Sequence, residues 1–452
     1  MSSLALGIGL RYLLRKSGGN RRRTISAVAG IALSMVPLVL VMEMADGMIR
    51  GITVRYIETG SYHLQAYPTA DLDESALRGA AARIGSVDGV VAVTPEHRGV
   101  GLLSSVAGKS GVQLRSVPPD LLERDSGFER YLEVEAGSFD LSDSRSIVVG
   151  RYLARELEVG PGDEVRLLTV RSLEGRSFLP RVSRFTVSGV VSTGYQELDR
   201  LWAFLPLSRG LEVLPAESSE SYLGIKIEDP YALQPALFGS PLPSLEERRD
   251  ERAAVRTAND VADELGFDWR VYSWYNLERS RYVSFQTTRN LLLFIMLLIV
   301  IVASVNVSST LVMLVVEKEQ EIAFLRTLGA PPRLIERVFL ASGAIIGGAG
   351  VTLGTALGIA LAINVNELLA AMEQLVNLAA STWRYLFLPD SLGSERILLL
   401  SRDFYLERIP ISLDPLELVS LAAAAMTISL IAAVVPARRS AEIYPLELLR
   451  RR

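Results

Sequence analysis

Residues able to do chemistry are sparse in this 452-residue chain, and their spacing argues against most reactions. There is no cysteine, which excludes disulfides, thiolate metal sites and cysteine nucleophiles. The two histidines, His63 and His97, fall far apart in the sequence and suggest no metal site. Ala107-Gly108-Lys109-Ser110 ends like a phosphate-binding loop. The full pattern needs a glycine five residues before Gly108, however, and that position is Leu103, so the segment reads as a polar turn. No nucleophile–base pair stands out. What remains is a charged run, Glu317-Lys318-Glu319-Gln320-Glu321-Ile322-Ala323-Phe324-Leu325-Arg326-Thr327-Leu328-Gly329-Ala330, set between two long apolar stretches. Glu317, Glu321 and Leu325 recur at helical spacing, Gly329 can cap the C-terminus, and Pro331-Pro332 stops the helix. A short helix joined to two apolar segments with almost no linker can transmit a push, which a flexible loop cannot do.

The elements that must hold this helix are four uncharged runs: Thr24–Met42, Asn290–Val316, Val338–Asn366 and Leu418–Ala437. Each is about as long as the roughly 20 residues a bilayer core requires. The first run lacks a small-x-small cleavage site after it and reads as an uncleaved anchor. Arg11, Arg15, Lys16, Arg21, Arg22, Arg23, the loop cations Lys318, Arg326, Arg333 and Arg337, and the arginines from Arg438 to Arg452 share one side of a four-span topology. That side is expected to be cytoplasmic, with both termini inside. The net charge of −4 is an average over two faces and does not point to nucleic acid.

The expected organisation is a cytoplasmic segment 1–23, a span 24–45, an exported head 46–285, a span 286–316, a coupling helix 317–333, a span 334–366, an exported loop 367–415, a span 416–437 and a tail 438–452. The fold class is therefore membrane α-helical with four transmembrane helices, plus a large extracytoplasmic α+β head domain. In the head, Val87–Val93, Ser146–Val149, Glu164–Val170, Arg184–Val191, Leu201–Leu205 and Tyr222–Ile227 read as strands. Leu77–Ile84 and Ala253–Leu265 read as helices, and Pro235–Arg252 as a surface insertion. The strand-rich middle allows either one lobe or a β-rich inserted lobe.

The four uncharged runs contain no acid or base, which disfavours a proton-coupled carrier. Glu43 and Asp46 read as solvated flanks of the first span. In the third, Gly343/Gly347 and Gly350/Gly354/Gly358 lie four residues apart, a pattern for close helix packing within the protomer or at a dimer seam.

The run Glu317-Lys318-x-x-Glu321-Ile322-Ala323-x-Leu325-Arg326-Thr327-Leu328-Gly329-Ala330 resembles the coupling helix of FtsX/MacB-type ABC transporter permeases. The tail Pro436-Ala437-Arg438-Arg439-Ser440-Ala441-x-x-x-Pro445-x-x-x-Leu449-Arg450 is similar to that family's ending, and the one-span, head, three-span layout is the family's layout. Shorter stretches resemble the lipoprotein-releasing Lol permease subunits: Gly30–Ser34 with Met44–Met48, Phe185–Gly194 with Glu197-Leu198-Asp199, and Phe404–Pro410.

The resemblance implies a permease subunit, not an enzyme. It implies a cytoplasmic ABC ATPase subunit that carries the ATP and magnesium, with no cofactor on this chain. A second permease protomer would complete a homo- or heterodimer. The cargo would be a lipoprotein drawn from the outer leaflet and handed to a periplasmic carrier by mechanotransmission. Glu317, Lys318, Glu321, Leu325, Arg326 and Gly329 would form the ATPase contact. Met42, Met44, Met48, Phe285 and Phe294 are candidates either for acyl contact in a lipid cavity or for ordinary helix packing. Thr169–Arg181 carries Leu173, Arg176, Phe178, Leu179 and Pro180, which either pack on the head or, like the Lol hook, dock the carrier. A MacB-type efflux or peptide-export permease and an FtsX-like regulator of cell-wall hydrolases are the alternatives. A lipid-modifying enzyme is more remote.

Overall fold

The computed structural model describes residues 18–173, 177–228, 230, 245–387, 397, 411 and 413–441. They fall into a membrane unit, from within Met1–Ile49, Phe285–Leu399 and Ile409–Arg452, and a head unit, from within Arg50–Ser284 and Leu400–Arg408.

In the membrane unit the four apolar runs are helices long enough to cross a bilayer. The first two belong to helices of 39 residues each, Gly18–Tyr56 and Arg279–Glu317. At 1.5 Å per residue each is about 58 Å long, against roughly 30 Å of hydrocarbon. The third and fourth are Pro332–Ile363 and Pro415–Ala441. Pro37 lies inside the first helix without ending it. Ile31, Met35, Leu38, Val307, Leu311, Phe339, Ile346 and Ala433 form the buried core, while Phe294, Ile295, Leu298, Val302 and Val305 stay exposed on the second helix. Such an outward apolar face suits lipid. The expected exported loop from 367 begins instead as a helix, Val365–Phe387, whose Met372, Leu375 and Leu378 are exposed. The charges Glu367 and Glu373 break the apolar run, which hid the continuing helical period.

Among the described residues of the head, ten strands join one sheet, in the order β10-β1-β9-β2-β3-β8-β5-β7-β4, with β6 pairing β2 and β7. The strands are β1 Leu64–Pro68, β2 Val90–Ser104, β3 Lys109–Val117, β4 Glu133–Gly137, β5 Ser146–Gly150, β6 Glu164–Leu173, β7 Ser177–Ser192, β8 Trp202–Pro206, β9 Ser219–Ile227 and β10 Trp269–Ser273. The continuous apolar run Ile147-Val148-Val149 makes β5 buried on both faces. The two expected helices form as Glu74–Ile84, capped by Asp73 Oδ1 accepting from Ala76 N at 2.8 Å, and Leu245–Leu265. Residues from 245 in the expected surface insertion belong to that second helix, and 235–244 lie outside the described residues.

Candidate functional site

The second span helix ends at Glu317, and Lys318, at φ −100° and ψ 8°, breaks it. A helix of nine residues, Glu319–Thr327, follows. Gly329 then adopts φ +91°, a left-handed turn that favours glycine, and Pro332 occupies the first turn of the third span helix. Nine residues are too few for a stable isolated helix, so packing must hold it. Ile322 is fully buried in the core of the membrane unit, and Leu325 packs partly buried against that core. Lys318 Nζ lies 2.7 Å from Glu321 Oε1 and braces the first turn. The opposite face presents Phe324 and Leu328, 65% and 69% exposed and one turn apart.

Leu325 therefore faces inward, rather than outward with the exposed Glu317. Glu321 and Arg326 are half-buried, and Gly329 is exposed. Phe324 and Leu328 were absent from the sequence-based contact set. The available signal was a window with two apolar stripes, Ile322/Leu325 and Phe324/Leu328, of which one bundle can bury only one.

Charges gather at the other end of the span helices. The guanidinium of Arg289 binds Asp46 through Nε and through Nη2, at 3.2 Å from Oδ2, and Nη2 also meets Glu417 Oε1. Glu43, one turn before Asp46, is 3% exposed. The expectation of solvated flanks fails here. Three helices converge on one arginine, so Asp46 is paired across them and Glu43 is enclosed. Met42 is fully buried in the apolar core; Met44, Met48 and Phe285 are half-buried, and Phe294 is 58% exposed.

The glycines of the third span pack within the chain. A Cβ on Gly343 would meet Ala433 Cβ at 2.5 Å, and one on Gly347 would strike Ser429, both on the fourth span. On Gly350, Gly354 and Gly358 it would meet Ile31, Met35 and Val39 of the first span at 2.7, 2.5 and 2.8 Å. The stripe thus serves two neighbours in turn.

In the head, β6 and β7 form a long hairpin whose register runs from Glu164↔Thr186 to Leu173↔Ser177. Arg176 and the side chains of Leu173, Phe178 and Leu179 lie outside the described residues; Pro180, paired with Val170, is exposed. Arg181 ties the hairpin to the helix Leu207–Val213, donating to Glu212 O at 2.7 Å and Glu212 Oε1 at 3.0 Å. Ala107-Gly108-Lys109 lies at the turn between β2 and β3, where Ser105 N donates to Gly108 O. Among the described residues no group of three His, Asp or Glu side chains could hold a metal. His63 is occupied within the fold: Nδ1 lies 2.9 Å from Ile227 O and Nε2 3.2 Å from Glu58 Oε1. Asp199 is structural too, its carboxylate accepting from Ser192 Oγ, Thr193 N and Thr193 Oγ1 at 2.6–2.7 Å.

Two family models cover most of the chain: the MacB-like periplasmic core domain matches residues 24–237 and the FtsX-like permease C-terminal matches residues 293–445. The chain is similar along its full length to the lipoprotein-releasing system transmembrane protein LolC of Neisseria meningitidis, with 28% identity and 100% of both chains covered. LolC of Xylella fastidiosa is 27% identical over 99% of this chain and 98% of that one. LolE of Haemophilus influenzae is 26% identical over 75% of this chain and 72% of that one.

Proposed function

The chain is an FtsX/MacB-type ABC transporter permease close to the lipoprotein-releasing Lol subunits, and from that premise we propose that it extracts lipoproteins from the outer leaflet of the inner membrane and passes them to a periplasmic carrier. The work is supplied by ATP on a separate cytoplasmic ATPase, and a second permease protomer completes the pathway. Both termini are cytoplasmic in this arrangement. Extraction costs about 0.8 kcal/mol for each acyl CH₂ withdrawn from the bilayer, so a coupled power stroke is required.

One observation carries the reading: the linker helix has its inner face, Ile322 and Leu325, fixed in the core and its outer face, Phe324 and Leu328, clear of it. A push on Phe324 and Leu328 moves the helix with the core that it grips, and so reaches the second and third spans. Glu317, Glu321 and Arg326 would set the charge register of the ATPase contact. The half-buried Met44, Met48 and Phe285 and the exposed Phe294 are the positions from which to seek acyl chains.

The direct test co-purifies the chain with its ATPase, reconstitutes both in liposomes holding a triacylated lipoprotein, and adds ATP with a soluble periplasmic carrier. Acylated protein should move to the carrier only with ATP. Turnover without any transfer, together with no acylated protein by mass spectrometry of the purified complex, would remove the lipoprotein reading. Photo-crosslinkers at Met44 and Phe294 should capture acylated protein; capture of neighbouring helices alone removes the cavity assignment. Phe178→Asp with Leu179→Asp should abolish carrier binding while ATP turnover persists. Wild-type carrier affinity in that variant would remove the hook.

A further inference from the structure

The head contains a cleft of about 720 Å³ that none of these roles uses. One wall is the segment Tyr67–Glu74, which follows β1 and starts the helix Glu74–Ile84. The other is the helix Leu207–Val213 with the start of β9, and His97 of β2 also lines it. Among the described residues five carboxylates line it, those of Asp71, Asp73, Glu74, Glu212 and Glu220, and no lysine or arginine does. Three of the five are engaged: Asp73 caps its helix, Glu74 pairs with Arg78, and Glu212 pairs with Arg209 and Arg181. Among the described residues Asp71 and Glu220 have no ion-pair partner, and both are exposed. The N-terminus of the helix Glu74–Ile84 opens here, but its Asp73 cap and acidic first turn make it a poor anion site.

Beside these acids sits a buried ring nitrogen without a partner. His97 is 7% exposed; its Nδ1 lies 2.8 Å from Ser221 Oγ, and its Nε2 is buried without a partner. Burial lowers the pKa of the ring against the pull of Asp71 and Glu96, which favours the neutral imidazole. In the tautomer that donates Nδ1–H to Ser221, Nε2 offers a lone pair. A buried lone pair without a donor is costly unless a ligand supplies one.

We propose that this cleft binds an alkylammonium group, with His97 Nε2 accepting one N–H and Asp71 and Glu220 supplying the counter-charge. Leu72, Leu211 and Leu214 give the methylene stem an apolar wall. The ammonium can belong to a lysine side chain of a polypeptide or to a free polyamine.

Because His97 and His63 are the only two histidines, ¹³C-histidine labelling of the full chain in detergent reads the site directly. N-acetyl-trilysine amide and spermidine are the two arms, and the tighter one identifies the source. Either should shift the His97 ring signals saturably, with half-saturation below about 1 mM, and leave His63 still. Asp71→Asn with Glu220→Gln should weaken the titration at least about tenfold while the His63 signals keep their unliganded positions. The proposal is overturned if neither arm moves His97 in that range, if His63 shifts equally, if N-acetyl-triglutamate amide acts as well, or if the double variant titrates like the parent.

Discussion

The head and the membrane unit solve the same packing problem with opposite chemistry. The head buries charge. Arg115 and Glu96 are both fully enclosed, with Arg115 Nε 2.8 Å from Glu96 Oε1 and Nη2 2.7 Å from Oε2. Arg98 and the Tyr62 hydroxyl bind the same carboxylate, and Trp202 lies over the Arg115 guanidinium at 4.4 Å. Lys226 sits nearby between Glu58 and Asp125 at 2.7 and 2.5 Å. The core of the membrane unit is instead apolar, and its helices meet through glycine. The solvents explain the contrast. In water the hydrophobic effect folds the head, and a network of paired charges can then fix one arrangement. In lipid, tails are as apolar as leucine, so helices gain from contact only by approaching closely.

The largest effect should come from breaking the head network. Arg115→Met leaves Glu96 short of its main counter-charge, and removing one partner of a buried pair costs about 3–5 kcal/mol. The urea midpoint of the full chain, followed by tryptophan fluorescence, should fall accordingly. Adding Glu96→Leu should recover part of the loss, because no uncompensated carboxylate then remains. An unchanged midpoint in Arg115→Met would show that the network contributes nothing.

Acid should act through the same carboxylate. Burial pushes the Glu96 pKa up, but Arg115 and Arg98 outweigh it and hold it at about 2, below the usual 4.5. A group depressed in the folded state stabilises above its unfolded pKa and loses that contribution as pH falls toward the folded value. Head stability should therefore decline between about pH 4.5 and 2, and Glu96→Gln should flatten that limb of the curve. Retention of the full acid slope in Glu96→Gln would assign it to other carboxylates.

The same contrast governs what could be read from the sequence. The four spans were legible because a bilayer demands long uncharged runs, and composition alone reveals them. The strands β5, β6, β7, β8 and β9 were legible from β-branched and alternating residues. The short strands β1, Leu-Gln-Ala-Tyr-Pro, and β4, Glu-Val-Glu-Ala-Gly, were not: their pairing with β10, β9 and β7 comes from distant segments, and β4 is exposed along its length. The linker helix was legible as a helix, but not which stripe faces out, since Ile322 and Leu325 are selected by neighbours on other helices. The cleft at His97 was invisible, because its walls come from residues 67–74 and 208–221.

A moderate effect should separate two glycines of one helix. A Cβ on Gly354 would lie 2.7 Å from the carbonyl oxygen of Ala32 and 2.5 Å from Met35 Cβ, so the first and third spans must move apart. Overpacking of this kind costs about 1–3 kcal/mol. On Gly348 the nearest atom is the flexible Met426 Cε at 3.7 Å. Thermal unfolding in detergent should show Gly354→Ala destabilised and Gly348→Ala within about 0.5 kcal/mol of the parent. Equal midpoints would mean that close approach of these spans does not stabilise the unit.

The smallest effect on stability should come from the linker helix, and that is its value. Phe324 and Leu328 are mostly exposed, so Phe324→Asp with Leu328→Asp should shift the thermal midpoint little, each within about 0.5 kcal/mol. Binding should respond very differently. Two apolar side chains at the centre of a contact are where truncation costs most, commonly above 2 kcal/mol, which is more than about thirtyfold in affinity. Ile322→Asp is the counterpart, since it buries an unpaired carboxylate in the core and should lower stability first. Measured side by side, ATPase co-purification should be lost in the exposed-face variant at native thermal stability, and lost in Ile322→Asp only together with stability. If the exposed-face variant retains its ATPase and coupled turnover, Phe324 and Leu328 make no ATPase contact, and the proposed contact is left to the charged residues Glu317, Glu321 and Arg326.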